Sequence, residues 1–241
     1  MKRYLPLIII AGVLAVALGA GLVLWRSSKQ DASTTQPFAE TTPTPTPIVA
    51  QTPTPNASPT APPVQAGLGA EHFRGGANAK VTLEEYGDYQ CPPCGGLFQE
   101  LKTIEKEYGN QIRFVFRHFP LQGHRHAMTA ARAAEAAGLQ GHFWEMHDMI
   151  YQNQLSWSPV DDARSVFIQY AANLNLDVAR FTRDMDSQEV AARVNADYAR
   201  GSALGIEGTP AVFVNGRQMN PNAVTSDGIR LALDYVLGKR R

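Results

Sequence analysis

Cysteine is nearly missing from this sequence: 241 residues carry two. A small scaffold stapled by several disulfides is thereby excluded, as is a zinc module built on two cysteine pairs. An excess of charge is missing too. Twenty-two basic residues face 22 acidic ones, and charged residues make up 18% of the chain. That balance does not suit a nucleic-acid binder, which shows a basic face or stripe. Internal repeats are absent as well.

What is present is the placement of the two cysteines, in Cys91-Pro92-Pro93-Cys94. A chain that keeps one such pair and no other cysteine uses it for chemistry, and reversible exchange between a dithiol and a disulfide is the favoured reading. Two alternatives stand beside it. An inert disulfide across so short a loop removes little unfolded-state entropy and is a poor staple. A zinc site wants four ligands, and His142 and His147, five apart on a helical stretch, share a face badly. Gly95, not His, follows Cys94, so the haem-attachment pattern is excluded.

Val81 and Leu83 alternate with polar neighbours as in a strand, and Leu97, Phe98, Leu101, Ile104 and Tyr108 recur at helical spacing. Gly109-Asn110 reads as the helix stop. The pair therefore sits where a strand turns into a helix. Backbone N–H groups and the helix dipole favour negative charge there. Comparable settings lower a thiol pKa from ~8.5 to between roughly 3.5 and 7.5. Cys91, at the helix mouth, is expected to be the nucleophile, and Cys94, one turn in, the buried resolving thiol. Glu85 has the parity of Val81 and Leu83, which points it inward and leaves Glu84 as the solvated neighbour.

Ile112 to Arg117 reads as a second strand, ended by Phe119-Pro120. Helical patterns fill about 122–205: the alanine-rich stretch from His126, the broad apolar face of Phe143 to Tyr151, a helix opened by Pro159 and Asp161-Asp162, a short one from Asp177, and Ser187 to Leu204. Ala211 to Val214 is a strand, Asn215-Gly216 a two-residue hairpin turn, and Ser226 to Leu237 the last helix. The order is β-α-β, a helical block, then β-β-α. His118 and His147 read as packing residues, His124 and His126 as flanking Arg125 at a helix start, and Phe143-Trp144 as core.

On these elements, and on Tyr86-Gly-Asp-Tyr-Gln-Cys-Pro-Pro-Cys94, Phe114 to Leu121, Ala130 to Asp148 and Gly205-Ile-Glu-Gly-Thr-Pro-Ala-Val-Phe-Val-Asn-Gly216, the chain resembles the DsbA-like thiol-disulfide oxidoreductases, in the branch with membrane-anchored, extracytoplasmic members. The resemblance spans most of residues 79–218. It implies an α/β, thioredoxin-like fold over 68–241, with the helical insertion between its βαβ and ββα halves. It implies a cis bond at Thr209-Pro210, facing a redox-active Cys91–Cys94 disulfide, where Thr209 presents its backbone to an extended substrate. It also implies that Glu85, six residues before Cys91, relays the proton of Cys94.

Before the domain come two segments. Leu5 to Trp25 is a run of 21 residues without charge. At ~1.5 Å per residue it spans about 30 Å and suits a transmembrane signal-anchor, longer than a signal-peptide core. Residues 1–26 are thus expected to be the cytoplasmic tip and anchor, with small-residue sites such as Ala15-Val16-Ala17 leaving cleavage open. Residues 27–67 carry nine prolines between Pro37 and Pro63 and read as an extended tether. A glycosylated stalk has the same composition.

The expected function is disulfide exchange in extracytoplasmic proteins by a domain tethered to the cytoplasmic membrane. Its expected partners are protein thiol or disulfide substrates and a membrane partner that reoxidises or reduces the pair. No cofactor, metal or nucleic acid is called for. The alternative from another class is a metal-binding or metal-delivery module using the two thiolates. Proteins of the exchange chemistry differ by about 150 mV, or roughly 7 kcal/mol for two electrons. Pro92-Pro93 supplies no N–H to the Cys91 sulfur, which argues against an extreme oxidant.

Overall fold

The computed structural model describes residues 71–239. The anchor expected at Leu5 to Trp25 and the tether expected over 27–67 lie outside them. Among the described residues no helix is long and apolar enough to cross a membrane.

The elements follow in the order read from the sequence, with one strand and one four-residue helix added. They are β1 Phe73–Gly75, β2 Val81–Gly87, α1 Pro92–Tyr108, β3 Ile112–His118, α2 Ala127–Gly138, α3 Phe143–Gln152, α4 Gln154–Trp157, α5 Ala163–Asn173, α6 Val178–Met185, α7 Gln188–Ala203, β4 Ala211–Val214, β5 Arg217–Gln218 and α8 Ser226–Leu237. The sheet order is β1-β3-β2-β4-β5. Strands β2 and β3 run parallel, and the other pairs antiparallel. The strand missing from the sequence reading, β1, has three residues and no alternation to betray it; it pairs Phe73 with Val115 at the sheet edge.

Parity along β2 decides what each face of the sheet touches. Val81 and Leu83 pack with Leu97, Leu101 and Ile104 of α1, Ile112 and Phe114 of β3, and Ile229 and Leu233 of α8. Tyr86 lies on the other face with Phe119, Phe213 and Ile206. The helical block forms a third apolar cluster, in which Trp157, Phe167, Phe181 and Met146 are wholly or almost wholly buried. Burying each such side chain is worth roughly 1.5–3 kcal/mol.

The helix starts expected in this block are set by side chains that accept from the backbone three residues on. Asp162 takes Ser165 N–H, Asp177 takes Arg180, Ser187 takes Val190, and Thr225 takes Gly228. Each such cap is worth about 1 kcal/mol. The helix read as opening at Pro159 begins only at Ala163, because Asp162 is its cap. The hairpin turn is as expected, with Asn215 and Gly216 both at positive φ, as a type I′ turn requires.

One expectation fails. Glu84, read as the solvated neighbour of Glu85, is buried. Its Oε1 accepts from Arg117 Nε at 2.9 Å and lies 3.8 Å from Arg200. Arg117 in turn pairs with Asp197 and Glu71. A buried carboxylate persists when it is paired and hydrogen-bonded, and the cations that pair with Glu84 come from β3 and α7, distant in sequence.

Gly87, at the end of β2, has no room for a side chain. A Cβ there would meet the Phe116 ring at 2.5 Å and the Tyr151 hydroxyl at 2.8 Å. Gly87→Ala is expected to cost about 1–3 kcal/mol of stability through overpacking, read as a lowered midpoint in urea unfolding of the full chain.

Candidate active site

The turn between β2 and α1 is built before the cysteines arrive. Asp88 is wholly buried. Its Oδ1 accepts from Gln90 N–H at 2.7 Å, its Oδ2 from Leu121 N–H at 2.9 Å and from His124 Nδ1 at 2.6 Å, and its carbonyl accepts Cys91 N–H at 3.1 Å. An aspartate that bonds the backbone two residues on is a sequence-visible turn former, and Gly87-Asp88 carries that signal, although the sequence reading assigned it no role. His124, read from the sequence only as part of a helix start, is a half-buried partner of this aspartate.

Cys91 is the N-cap of α1 in an extended conformation, with Pro92 in the first turn, where a missing N–H costs nothing. Its carbonyl accepts from Gly95 N–H at 3.2 Å and from Gln154 Nε2 at 2.8 Å. The same Gln154 nitrogen donates to Tyr89 O at 2.7 Å. A Cβ on Gly95 would fall 2.3 Å from Gln154 Oε1, so the close approach of α4 needs glycine there. Gln90 adds a second tie, donating to Ser158 O at 3.2 Å and accepting His126 N–H at 2.7 Å. The helical block thus grips the turn on two sides. Gln154 carries no sequence signal, because its partners lie 63 and 65 residues away.

Both cysteines are free thiols and both are buried. Their acidities diverge. Cys91 falls from 9.0 to about 6, chiefly because the Cys94 thiol hydrogen-bonds to its sulfur; burial opposes this, Thr209 and the Cys94 backbone assist, and Asp88 opposes. Cys94 is pushed well above the usual thiol range by burial, by that same hydrogen bond and by Glu85. The helix start accounts for part of what the sequence assigned to it: Pro92 and Pro93 lack N–H groups, so Cys94 supplies the first backbone N–H, and its thiol supplies more.

The Thr209–Pro210 bond is cis. Cys91 Sγ donates to Thr209 O at 3.4 Å, and Thr209 Oγ1 is buried with no other partner. Beside Thr209 and Pro210 opens a cavity of about 330 Å³, lined also by Glu207, Ala211, Met219 and Val224. Glu85 lies in the central strand between Phe116 and Val212. It is buried, and its Oε1 has no partner. Burial first, then the charges of Glu105 and Cys91, raise its pKa from 4.5 to about 8.

The structure therefore brings Cys91, Cys94, Thr209 and Pro210 to one place, with Glu85 behind Cys94. His118, His126 and His147 are buried, as the packing assignment of His118 and His147 implies. Among the described residues, no group of three or more His, Cys, Asp and Glu is spaced to hold a metal ion; the two thiolates are the sulfur donors available.

A family model described as Thioredoxin matches residues 68–234. The fold is similar to that of oxidised BdbD from Bacillus subtilis, with a TM-score of 0.63 and 21% identity over 70% of this chain and 93% of that one. It is also similar to DsbA2 from Pseudomonas aeruginosa, with a TM-score of 0.55 and 25% identity over 70% and 96%. Among curated proteins, 149 residues are 41% identical to a segment of "Na(+)/H(+) antiporter NhaA 1" of Salinispora arenicola, covering 61% of this chain. The matched segment is 22% of that relative's length.

Two measurements test this electrostatic picture. Thiolate absorbance of the reduced chain is expected to titrate with a midpoint near 6, and one near 9 would contradict the site as described. For Glu85, the unfolded carboxyl ionises near 4.5 and the folded one near 8. Between those values the folded state binds more protons, so stability falls as pH rises, by up to about 1.4 kcal/mol per pH unit. Glu85→Gln is expected to remove that decline between pH 4.5 and 8 in urea unfolding, and an unchanged slope would count against the raised pKa.

Proposed function

Because this chain belongs to the thioredoxin family, in its DsbA-like group, we propose that it exchanges thiols and disulfides in other proteins through Cys91 and Cys94. The observation that carries the proposal is the split acidity of two adjacent thiols at a helix start, the more acidic of them hydrogen-bonded to the residue before a cis proline.

In the oxidising direction, a substrate thiolate attacks Cys91 Sγ of the Cys91–Cys94 disulfide. That bond breaks, a substrate–Cys91 mixed disulfide forms, and Cys94 leaves as a thiolate. With its pKa near 8, Glu85 is mostly protonated at neutral pH and protonates the departing sulfur. A second substrate thiolate then attacks the substrate sulfur and expels Cys91, whose low pKa makes it a good leaving group. Two electrons pass from the substrate to the pair. In the reducing direction Cys91 thiolate attacks a substrate disulfide, and Cys94, deprotonated by the minor ionised fraction of Glu85, displaces the product. Thr209 offers its backbone to the substrate chain, as an added strand would pair.

The setting proposed is the outer side of the cytoplasmic membrane, with Leu5 to Trp25 as the anchor, 27–67 as the tether and 68–241 as the working domain. The 21 uncharged residues support the anchor, and the oxidising compartment beyond it suits a disulfide in use. A membrane redox partner would reset the pair. The similarity to the antiporter covers a fraction of that protein, so ion transport forms no part of the proposal.

The test uses the full chain in glutathione buffers of graded potential, following tryptophan fluorescence and bound metal. A reversible two-electron transition without metal is expected; tight stoichiometric metal with no dithiol activity would overturn the reading in favour of a metal carrier. Cys94→Ser is expected to accumulate mixed disulfides on Cys91, and Cys91→Ser to lose turnover entirely. Retained turnover in Cys91→Ser would reverse the assigned roles.

A further inference from the structure

Buried polar atoms without a partner are rare in folded proteins, and here they gather. Glu85 Oε1, Tyr151 Oη, Tyr89 Oη, His147 Nε2 and His118 Nδ1 are all buried and lack a hydrogen-bond partner among the described residues. Their side chains form one cluster. The Tyr89 ring centroid lies 4.7 Å from that of Tyr151, 5.6 Å from His147 and 5.9 Å from His118. His147 and Tyr151 are 5.1 Å apart. The hydroxyl of Tyr151 lies against Gly87, two residues along the same face of β2 from Glu85.

The cluster has an inner and an outer end. At the inner end Tyr151 is near enough to Cys94 and Glu85 for their charges to act on it. At the outer end His147 Nδ1 donates to Asp148 Oδ1 at 3.0 Å. Asp148 lies 2.7 Å from Arg74 and 3.0 Å from Lys102, and the Lys102 side chain is 38% exposed. With Nδ1–H held by Asp148, Nε2 of His147 carries the lone pair and is itself buried without a partner.

We infer that this cluster, joined by bridging water, carries protons between Cys94 and solvent, along Glu85, Tyr151, His147 and Asp148. The inference rests on the exchange chemistry proposed above. That chemistry moves one proton at Cys94 in each half-reaction, and Glu85 is sealed from solvent; a path outward lets its carboxyl return to its resting protonation before the opposite half-reaction arrives to reset it. Groups of this kind hold water well, since each buried polar atom left alone costs about 1–3 kcal/mol and a buried water makes about three hydrogen bonds.

When Cys94 attacks a mixed disulfide, its proton passes to Glu85 in its ionised form, the minor one at neutral pH and a growing one as pH rises toward 8. From there it moves through the Tyr151 hydroxyl and water to His147 Nε2, while the Nδ1 proton moves to Asp148 and on to solvent. Cys94 ends bonded to Cys91, and the product leaves as a thiolate. The opposite half-reaction returns one proton inward and restores the starting tautomer of His147. The charged and titratable groups facing this route are Glu105, Cys91 and Cys94 around Glu85, Asp88 around Tyr151, Glu135 around Tyr89, and Asp148, Arg74 and His118 around His147. His147 is held neutral near pH 7, with its pKa lowered by burial to about 4, so it conducts without storing charge. Tyr151 and His147 act through Glu85 and are positioning and relay residues.

The test isolates one step: release of glutathione from Cys91 by Cys94, in single turnover with the full chain. Tyr151→Phe removes one oxygen and keeps the ring. It is expected to slow this release at least about tenfold, while the Cys91 thiolate titration and the rate of Cys91 attack on oxidised glutathione stay at the parent values. In the unmodified chain, release rates in mixtures of light and heavy water are expected to curve with deuterium fraction, as when several protons move together. Parent-like release in Tyr151→Phe, or a straight-line dependence in the unmodified chain, would overturn the path and leave the exchange function standing. No mixed disulfide on Cys91 in the unmodified chain would overturn both.

Discussion

The pairing of the Cys94 thiol with the Cys91 sulfur, together with burial, governs the acidity of the candidate site. It moves two like side chains in opposite directions, lowering the acidity constant of one and raising that of the other. The rest of the local structure serves that asymmetry. The helix start sets the spacing, the two prolines leave Cys94 as the first backbone donor, and Thr209 meets the Cys91 end of the pair. Glu85 deepens the split from behind, since its charge disfavours a thiolate on Cys94. The opposing contribution of Asp88 comes from the residue that builds the turn, so the geometry of the loop and the acidity of Cys91 are balanced against each other.

Much of this could be read from the sequence, and the reasons are local. A strand, a CxxC and a helix with apolar residues three and four apart declare the β2–α1 turn within about 30 residues. The capping residues Asp162, Asp177, Ser187 and Thr225 announce helix starts by their own chemistry. Parity placed Glu85 inside correctly. The same parity argument misplaced Glu84, because a sheet covered on both faces has no solvent side at its centre, and the arginines that make Glu84 tolerable lie 33 and 116 positions away in sequence. Gln154 and Tyr151 were illegible for the same reason: their importance comes from residues more than 50 positions distant. The edge strand β1 is too short to show a period and exists because β3 offers it a partner.

The helical block is more than an insertion to be accommodated. Its inner wall carries Tyr151, His147 and the alanines of α2 against Phe116 and Tyr89. Glu135, in the alanine-rich helix, is buried and bonded to His72, His118 and Arg193. That cluster ties α2, α7, β3 and the segment before β1 through one carboxylate. It gives the block a polar core beside the aromatic one, and its carboxyl is held well below the usual range by its histidine partners despite burial.

The double grip of Gln154 on the carbonyls of Tyr89 and Cys91, with Gly95 pressed against it, has a consequence for any exchange the site performs. Aligning three sulfurs for displacement requires someone to bend. A loop so clamped bends little, and the distortion is passed to the visitor. Two carbonyls held by one amide nitrogen leave the Cys91 end of the turn little freedom to follow an approaching chain.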